Sequence, residues 1–372
     1  MEIYEHIIVG AGISGCSVAY ELSQHTNDIL LVDKGTSVAF GGSGAAGAFL
    51  SPLLGKPNDF KDLVTKSLKY SINLYKKNFP YVSYFCGTTR IPKNKTDDDK
   101  FKEYIPYMDF PYTKDNDGYF FKIGTVVNSV GLCKMMTTSF SNNRKKINTK
   151  FNFDVQDIKY DGEHWILNDK LKAKNLILTT GADVKLLDEF YLKIRAVWGR
   201  RIDISTTTEL DHNYHKACSV SKSFPMDENK FRVSIGATHH RDLKDTQDIE
   251  KDNKYLLNKA SEIVELKDVE IIKEYIGARA SSNDYLPIVG SVINSKKTIE
   301  EFPYLANGTN VNPQRFSRYE NLYMLNGVGG RGFVLAPYLA KQLVDNIVEN
   351  KPIDENITTN RLFIREVKRM IK

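Results

Sequence analysis

Three glycines near the N terminus have a spacing that suits the binding of a dinucleotide. They lie in Gly10-Ala11-Gly12-Ile13-Ser14-Gly15, and the acidic residue Asp33 follows about twenty residues further on. In this pattern the first glycine permits a tight turn and the second lets a pyrophosphate approach the backbone. The third lets a helix pack closely on a strand. The helix N-terminus favours phosphate, and Asp33 can accept hydrogen bonds from a ribose diol.

The elements needed to position that motif occur in the required order. Residues 5–9 are mostly apolar and predict a buried strand, and a helical pattern begins at Ile13. A second apolar run, residues 29–32, predicts another buried strand that ends at Asp33. This order of strand, glycine turn, helix, strand and acid strongly indicates a dinucleotide site. It does not distinguish one dinucleotide from another.

Two segments further along the chain are expected to contact the same ligand. The small residues between positions 41 and 48 leave room for a planar cofactor, although a flexible loop has the same composition. The predicted strand 175–178 runs into Thr179-Thr180-Gly181-Ala182 and suits a second contact with the nucleotide. The expected contact residues in these and neighbouring segments are Lys34, Ser43, Gly44, Ala45, Ala46, Gly47, Thr180, Gly181 and, through its backbone near the adenine, Val155.

A second glycine-rich turn lies near the C-terminal end of the chain. Residues 321–325 predict a strand, 326–332 form the turn, and 333–348 predict a helix. The N-terminus of such a helix would stabilise the negative charge of a reduced flavin. Because a long FAD molecule needs two distant cradles and NAD does not, the pair favours FAD. The expected contacts are Gly329, Gly330, Arg331, Gly332 and Phe333.

Other segments predict supporting structure. Residues 59–79 have the spacing of an amphipathic helix, and 129–140 predict a further helix. Residues 93–102 predict a charged, mobile loop. Asp161-Gly162 predicts a hairpin turn, and from Ile194 to about residue 238 strands alternate with turns.

The net charge, the cysteines, the histidines and the lack of long apolar segments limit the classes of protein to which this chain can belong. Among 372 residues the net charge is +6, which permits a nucleic-acid partner without requiring one. The four cysteines (Cys16, Cys86, Cys133 and Cys218) are far apart, so we expect reduced thiols and neither disulfides nor zinc. We expect no metal site, since His212, His215, His239 and His240 lack an accompanying acidic or cysteine set and look like surface or loop histidines. With no signal peptide and no long apolar span, we expect a cytoplasmic protein without a membrane span.

The predicted fold is mixed α/β, with a Rossmann-like FAD-binding domain and an interleaved substrate domain built on an antiparallel sheet. We assign residues 1–50, 141–190 and 318–372 to the FAD-binding domain. Residues 51–140 and 191–317 are assigned to the substrate domain.

The chain resembles the FAD-dependent D-amino acid oxidase superfamily, which includes glycine oxidase and sarcosine oxidase. The resemblance covers the whole chain and rests on both glycine turns, Asp33, the small-residue run 42–48, Thr180-Gly181-Ala182 and Gly277-Ala278-Arg279. A closer likeness is to the oxidase half of the bifunctional tRNA 5-methylaminomethyl-2-thiouridine biosynthesis enzymes. It rests on short segments: Ser51-Pro52-Leu53-Leu54, residues 127–133, residues 284–290, Gly330-Arg331-Gly332 and residues 360–365.

Two positions depart from this pattern. Ala45 stands where an asparagine is usual, and Trp198-Gly199-Arg200 replaces an Arg-Gly-Gln at the start of the substrate sheet. We expect both positions to touch the pocket. The methyltransferase half is absent from the sequence, so the resemblance implies that a separate protein would transfer the methyl group.

The resemblance implies oxidation of the carboxymethylaminomethyl group of a tRNA wobble uridine to aminomethyl, with release of glyoxylate. It places Arg279 as the anchor for the substrate carboxylate, whereas an ion pair with Asp284 is the structural alternative. It also implies non-covalent FAD, because no cysteine lies near Arg279, and it identifies no general base. Two alternatives remain open: an oxidase or dehydrogenase of a small free amine such as glycine, sarcosine or a D-amino acid, and a non-catalytic flavin-bound RNA-binding partner.

The basic C-terminal segment also has two interpretations. Arg361, Arg365, Lys368, Arg369 and Lys372 are candidate tRNA contacts. The same residues fit a closing helix whose apolar face docks on the body of the protein.

Overall fold

The described residues form three sheets and the helices that cover them. The computed structural model describes residues 1–114, 118–138, 147–227 and 229–370. The strands are, in chain order, β1 (Glu2–Val9), β2 (Ile29–Val32), β3 (Phe49–Leu50), β4 (Ser83–Tyr84), β5 (Thr88–Arg90), β6 (Thr113–Lys114), β7 (Tyr119–Phe121), β8 (Thr125–Val127), β9 (Asn148–Lys150), β10 (Ile158–Tyr160), β11 (Trp165–Leu167), β12 (Leu171–Leu178), β13 (Ile194–Thr206), β14 (Asn213–His215), β15 (Ser219–Val220), β16 (Phe224–Pro225), β17 (Phe231–Gly236), β18 (Glu270–Ser282), β19 (Ile288–Ile293) and β20 (Arg318–Asn326). The helices are α1 (Ile13–Leu22), α2 (Gly42–Ala45), α3 (Asp59–Asn78), α4 (Lys95–Tyr104), α5 (Ser129–Thr137), α6 (Ile249–Ser261), α7 (Ser295–Glu301), α8 (Gly332–Glu349) and α9 (Thr359–Met370).

The first sheet has a parallel core in the order β9, β2, β1, β12 and β20. Its strands are apolar on both faces, so apolar side chains are buried on both sides of the sheet. Ile8 and neighbouring strand residues pack with α1, α3 and α8, and Ile7 packs on the opposite side with α9. Val9 lies opposite both Val32 and Leu178, so these strands end at one edge. The predicted mixed α/β class is therefore confirmed.

The second sheet is largely antiparallel and runs in the order β18, β13, β17, β15, β14, β5, β7 and β6. Its longest pairing joins β13 to β18, from Ile194 opposite Ser282 to Ser205 opposite Glu270. Short strands from residues 88–121 extend it through a parallel contact between β5 and β14. The predicted antiparallel sheet is thus present, and it takes strands from two separate stretches of the chain. The domain boundaries themselves stay a prediction.

Most of the predicted local elements are present. Helix α3 covers the predicted helix 59–79, and α8 covers the predicted helix 333–348. Strands β10 and β11 form the predicted hairpin around Asp161-Gly162. Helix α5 accounts for the described part of the predicted helix 129–140, whose last two residues lie outside the described ranges.

The prediction of a charged loop over 93–102 is wrong, because most of this stretch belongs to α4. The Asn94 side chain caps the helix by accepting a hydrogen bond from the Asp97 N–H at 2.9 Å. Lys102 pairs with Asp98 at 2.8 Å one turn away. Charges that look like those of a loop are in fact arranged to stabilise a helix.

The basic C-terminal segment is a docked helix. Leu362, Phe363 and Val367 of α9 are buried. Arg361 and Arg365 both pair with Asp284, at 3.1 and 3.0 Å. Arg369 pairs with Glu366, and Lys372 lies outside the described residues. These contacts support the docking interpretation of the segment over a free RNA-binding tail.

The prediction of surface or loop histidines is wrong for His215, which is a half-buried residue of β14 that contacts the Ser219 hydroxyl at 2.7 Å. All four cysteines are free thiols. His212 contacts Thr89, and His240 contacts Asp252 at 2.9 Å. Across the described ranges, no group of three or more potential ligands is arranged to hold a metal ion. None of the helices in those ranges has both the length and the apolar character needed to cross a bilayer.

Candidate active site at the edge of the parallel sheet

The first glycine turn joins β1 to α1 and leaves no room for side chains. Gly10 has a φ of +106°, and a Cβ on it would lie 2.6 Å from the carbonyl oxygen of Thr179. A Cβ on Gly15 would lie 1.8 Å from the carbonyl oxygen of Gly10. Helix α1 can therefore pack this closely on the turn only with glycine at position 15. The packing brings the start of α1 to the carboxyl edge of the sheet.

The N-terminus of α1 is capped by a distant side chain. Gly12, the residue before the helix, has no side chain to cap it, and Ile13 donates its N–H to the Ser43 hydroxyl at 2.9 Å. Ser43 thus lies at the position where helix N–H groups favour phosphate. Its hydroxyl can donate to a phosphate oxygen as well as accept from the backbone.

Asp33 is held firmly at the end of β2. One carboxylate oxygen accepts the N–H of Ala11 at 2.6 Å, and the other accepts the N–H of Gly35 at 2.6 Å. The remaining lone pairs leave acceptor capacity for ribose hydroxyls. Lys34 instead lies in an exposed ion pair with Asp183 at 3.0 Å, which places its charge at the protein surface.

The small-residue run forms the short helix α2, which lies flush against β18. A Cβ on Gly42 would lie 2.4 Å from the carbonyl oxygen of Ala278, and a Cβ on Gly277 would lie 2.7 Å from Cβ of Ala45. Arg201 donates a hydrogen bond from Nε to the Ala45 carbonyl at 3.1 Å. The segment is therefore packed and not a flexible loop, and it lies next to the proposed anchor Arg279.

The second glycine turn meets the first. It follows β20, and its residues Gly329–Arg331 form a 3-10 turn before α8. A Cβ on Gly332 would lie 3.0 Å from Cγ2 of Ile13, so the N-termini of α8 and α1 lie against each other. Neither helix has a side-chain cap from its own N-cap residue. Two sets of backbone N–H groups thus converge at one edge, as an elongated cofactor with charge at two places requires.

The remaining predicted contact residues have varied environments. Val155, Ser14 and Phe333 are buried, and Ala46 is half-buried. Thr180 donates its hydroxyl hydrogen bond to the Asp183 carbonyl, and Gly181 has a φ of +66°. The two glycine turns, Asp33 and residues 179–181 thus lie together at the carboxyl edge of the parallel sheet. The Lys34 side chain lies at the protein surface instead.

Arg279, in β18 of the second sheet, lies beside the second glycine turn. Its Nη1 donates to the carbonyl oxygens of Thr238 at 3.2 Å and Trp198 at 3.4 Å. A Cβ on Gly330 would lie 3.4 Å from Cδ of Arg279. Burial lowers its pKa, but a guanidinium remains charged at neutral pH. Among the described residues no carboxylate lies within ion-pair distance of it, and the alternative partner Asp284 is engaged by Arg361.

In the triplet 198–200, the glycine that agrees with the family pattern makes room for this arginine. A Cβ on Gly199 would lie 2.5 Å from Nη1 of Arg279, so the glycine provides the room that the guanidinium occupies. Arg200 is buried and donates to the Thr246 carbonyl at 2.9 Å, beside Asp252 at 3.5 Å. Gly199, which the family pattern shares, thus shapes the site, and Arg200, which departs from that pattern, supports the sheet.

One residue at this site was missed by sequence reasoning. Arg90, at the end of β5, donates from Nη1 to the Pro52 carbonyl at 2.9 Å. Arg331 donates to the carbonyl of the preceding residue, Ser51, at 3.2 Å. No local pattern marks Arg90, because it ends a three-residue strand whose neighbour β14 is far along the chain.

Comparison with known proteins agrees with this geometry. The model of the FAD dependent oxidoreductase family, DAO, matches residues 5–346. The chain is 24% identical over 371 residues to the tRNA 5-methylaminomethyl-2-thiouridine biosynthesis bifunctional protein MnmC of Legionella pneumophila strain Corby, covering 93% of this chain and 54% of that protein. The MnmC protein of Campylobacter fetus subsp. fetus is 23% identical, with 98% and 60% covered. The chain therefore spans about half the length of the curated relatives it matches.

Solved structures share the fold. Glycine oxidase from Geobacillus kaustophilus superposes with a TM-score of 0.71 at 16% identity, covering 95% of this chain and 96% of that one. Iminodiacetate oxidase from Chelativorans sp. BNC1 gives 0.68 at 17% identity, with 95% and 98% covered. L-alpha-glycerophosphate oxidase from Mycoplasma pneumoniae, solved with FAD bound, gives 0.65 at 17%, with 96% and 98% covered.

Proposed function

The chain belongs to the DAO family of FAD-dependent oxidoreductases, and from this premise we propose that it oxidises an N-substituted glycine, namely the carboxymethylaminomethyl group of a tRNA wobble uridine. The reacting carbon lies between the amine nitrogen and the carboxylate. Loss of a hydride from this carbon and a proton from nitrogen gives an imine. Hydrolysis of this imine then gives aminomethyl uridine and glyoxylate.

FAD is the cofactor of this chain. When bound, it supplies the two-electron oxidation, which amino-acid side chains cannot supply. In the proposed site the two helix N-termini and Ser43 would hold its phosphates and compensate negative charge, and Asp33 would accept hydrogen bonds from its ribose. The residues present fit this role, because the glycine turns exclude side chains where the cofactor must approach the backbone.

One observation carries the choice of substrate fragment: Arg279 is a guanidinium beside the second glycine turn with no acidic partner among the described residues. A carboxylate on the substrate would complete its interactions, and guanidinium binds carboxylate through two parallel hydrogen bonds. Such a clamp would hold the adjacent carbon in a fixed position during oxidation. No general base is required if the substrate amine is neutral when it binds.

The tRNA part of the proposal rests on the curated relatives, whose names place them in tRNA 5-methylaminomethyl-2-thiouridine biosynthesis. The named neighbours glycine oxidase and iminodiacetate oxidase share the fold and favour the smaller alternative, a free amine substrate. Both substrate classes contain the same glycine fragment. The presence of Arg279 therefore does not distinguish between the tRNA substrate and a free amine.

Anaerobic reduction of the flavin tests the proposal. The purified holoenzyme is mixed with an RNA stem-loop bearing carboxymethylaminomethyl uridine, with the same RNA bearing plain uridine, and with glycine, sarcosine and D-alanine. We expect the absorbance at about 450 nm to bleach with the modified RNA alone, and aminomethyl uridine to be recovered from it. Rapid bleaching by a free amino acid with no reaction of the RNA would replace the proposal with the free-amine alternative. A flavin that no substrate reduces would support the non-catalytic alternative.

A further inference from the structure

Two arginines from distant parts of the chain meet at one short stretch of backbone. Arg90 donates to the Pro52 carbonyl at 2.9 Å and to the Ser51 hydroxyl at 3.4 Å. Arg331, from the second glycine turn, donates to the Ser51 carbonyl at 3.2 Å. His215 lies beside Arg90 on the neighbouring strand, where its carbonyl accepts the Ile91 N–H at 2.8 Å. Arg90, Arg331 and His215 thus lie near one another.

The positive charge of this group is only partly compensated within the described residues, since the Asp97 carboxylate acts on Arg90 from beyond ion-pair distance. No carboxylate in those ranges lies within ion-pair distance of Arg90 or Arg331. The Nε of Arg90 is buried and has no hydrogen-bond partner. Burying an unpaired charge and an unused donor is expensive, so such groups normally have an anionic partner. An anionic ligand would supply such a partner.

Electrostatic effects show that these groups interact with one another. Burial lowers the pKa of Arg90 to about 9, and the charge of Arg331 contributes to the shift. Burial also lowers the pKa of His215 well below its usual value, and the charges of Arg90, Arg331 and Lys93 lower it further. At neutral pH both arginines carry charge and His215 is neutral. An incoming anion would relieve the repulsion between the arginines.

Further basic groups accompany this pair of arginines. Lys93 is exposed, three residues after Arg90, and its charge acts on both His215 and His239. The charge of Arg279, the proposed carboxylate anchor, also lowers the pKa of His239. Positive groups are therefore present both at the exposed surface and within the site. A small dianion needs one compact site, whereas a polyanion can contact several separate basic groups.

We propose that Arg90 and Lys93, supported by Arg331, bind a backbone phosphate of RNA beside the nucleoside whose carboxylate is held by Arg279. This inference rests on the proposed function and adds a second, separate anion site to it. Arg90 supplies a fork that matches two phosphate oxygens, and Lys93 supplies a point charge nearer to solvent.

The test compares two substrates that differ only in phosphate. The holoenzyme is mixed without oxygen with the modified stem-loop RNA or with the free modified nucleoside, and flavin reduction is followed at several salt concentrations. The variants are Arg90→Gln, Arg90→Lys and Lys93→Gln. Lys95→Gln is the matched control, since Lys95 is also exposed and lies two residues from Lys93 at the start of α4. Visible spectra and melting temperatures report whether each variant keeps its flavin and fold.

We expect Arg90→Gln to raise the RNA concentration for half-maximal reduction about ten- to hundredfold. Lys93→Gln should raise it less and should lower the salt slope by about one. Arg90→Lys should lie between wild type and Arg90→Gln. With the free nucleoside, Lys93→Gln should match wild type, and Arg90→Gln should be impaired less than it is with RNA. Lys95→Gln should match wild type with both substrates.

Each contrary outcome has a distinct meaning. Equal impairment with RNA and nucleoside would overturn the phosphate site and assign Arg90 to the reacting centre. Wild-type reaction with RNA that no variant weakens would overturn the phosphate site and leave the proposed function intact. RNA that fails to reduce even the wild-type flavin would overturn the proposed function and the phosphate site together. Because exposed Lys93 is not needed for packing, its variant keeps the test decisive if Arg90→Gln fails to fold.

Discussion

The Asp284 carboxylate accepts two hydrogen bonds from the Arg361 guanidinium, each at 3.1 Å. This pair fastens α9 to the loop before β19. It also occupies the acidic residue closest in sequence to Arg279 on its C-terminal side. Arg279 therefore donates only to backbone carbonyls, and its positive charge is available to bind an anionic ligand.

Replacing Arg279 should separate substrate binding from cofactor binding. We expect Arg279→Gln to retain FAD and to lose about 100- to 1,000-fold in kcat/KM, since two charge-assisted hydrogen bonds disappear. Stopped-flow flavin reduction with the modified RNA measures this. Arg195→Gln, at an exposed position of the paired strand β13, is the control and should behave as wild type. An unchanged kcat/KM for Arg279→Gln would remove the anchor role.

The contact between α2 and β18 should not tolerate one added methyl group. Gly42→Ala would place its Cβ 2.4 Å from the Ala278 carbonyl oxygen, so α2 must move away from the sheet. We expect a loss of about 1–3 kcal/mol in stability and weaker retention of FAD. Thermal melting and FAD fluorescence after gel filtration report the two effects. Gly55→Ala is the control, because a Cβ there meets no atom within 4 Å; equal behaviour of the two variants would contradict the packing argument.

Loss of the Asp284 carboxylate should loosen α9. Desolvation opposes ionisation of Asp284, but hydrogen bonds and charge from Arg361 outweigh it and lower its pKa. A carboxyl whose folded pKa is lowered stabilises the fold above its unfolded pKa and loses that contribution as pH falls through the folded value. We expect Asp284→Asn to cost about 3 kcal/mol at neutral pH and little in strong acid.

Hydrogen exchange of residues 359–370 and melting at several pH values measure that change. Asp157→Asn breaks an exposed pair with Lys159 and should cost less than about 1 kcal/mol. If exchange in α9 stays as slow in Asp284→Asn as in wild type, the pair does not hold the helix in place.

Glu21 should make the protein less stable as pH rises from acid to neutral. Desolvation at this buried site in α1 raises its pKa to about 7, although Tyr70 donates to it at 2.9 Å. Between its unfolded pKa and about 7 the folded state binds more protons than the unfolded state, so stability falls with increasing pH. Glu21→Gln should remove this slope and raise stability above pH 7 by on the order of 3 kcal/mol.

Urea unfolding between pH 5 and pH 8, with about 0.5-unit steps, resolves the slope. Glu300→Gln removes an exposed carboxylate and serves as the control. A wild-type curve that is flat over this range would show that Glu21 ionises normally in the folded protein.

The glycine turns were predictable from sequence because their requirements are local. A turn that needs positive φ, or a backbone approach that excludes Cβ, can be recognised from residue type and spacing, as at Gly10 and Gly15. Helices α3 and α8 were predictable from their apolar periodicity. Residues 93–102 misled the prediction, since their charges serve capping and ion pairing within α4.

The second half of the site depends on pairings that sequence patterns do not encode. Arg90 reaches the pocket because β5 pairs with β14, two strands of three residues each and far apart in the chain. Arg279 has no carboxylate partner among the described residues because Asp284 pairs with Arg361, which lies 77 positions further along the chain. Short strands and distant ion pairs are decided by the packing of the whole fold, and local propensity carries little information about them.

The meeting of Gly332 with Ile13 has a consequence for how the protein is made. Strand β12 pairs with β1 and also with β20, the last strand of the sheet. A ribosome translating this message completes the first glycine turn early and must then synthesise most of the remaining chain before α8 emerges. In the proposed site, a cofactor that must contact both glycine turns is therefore bound only after α8 has been made.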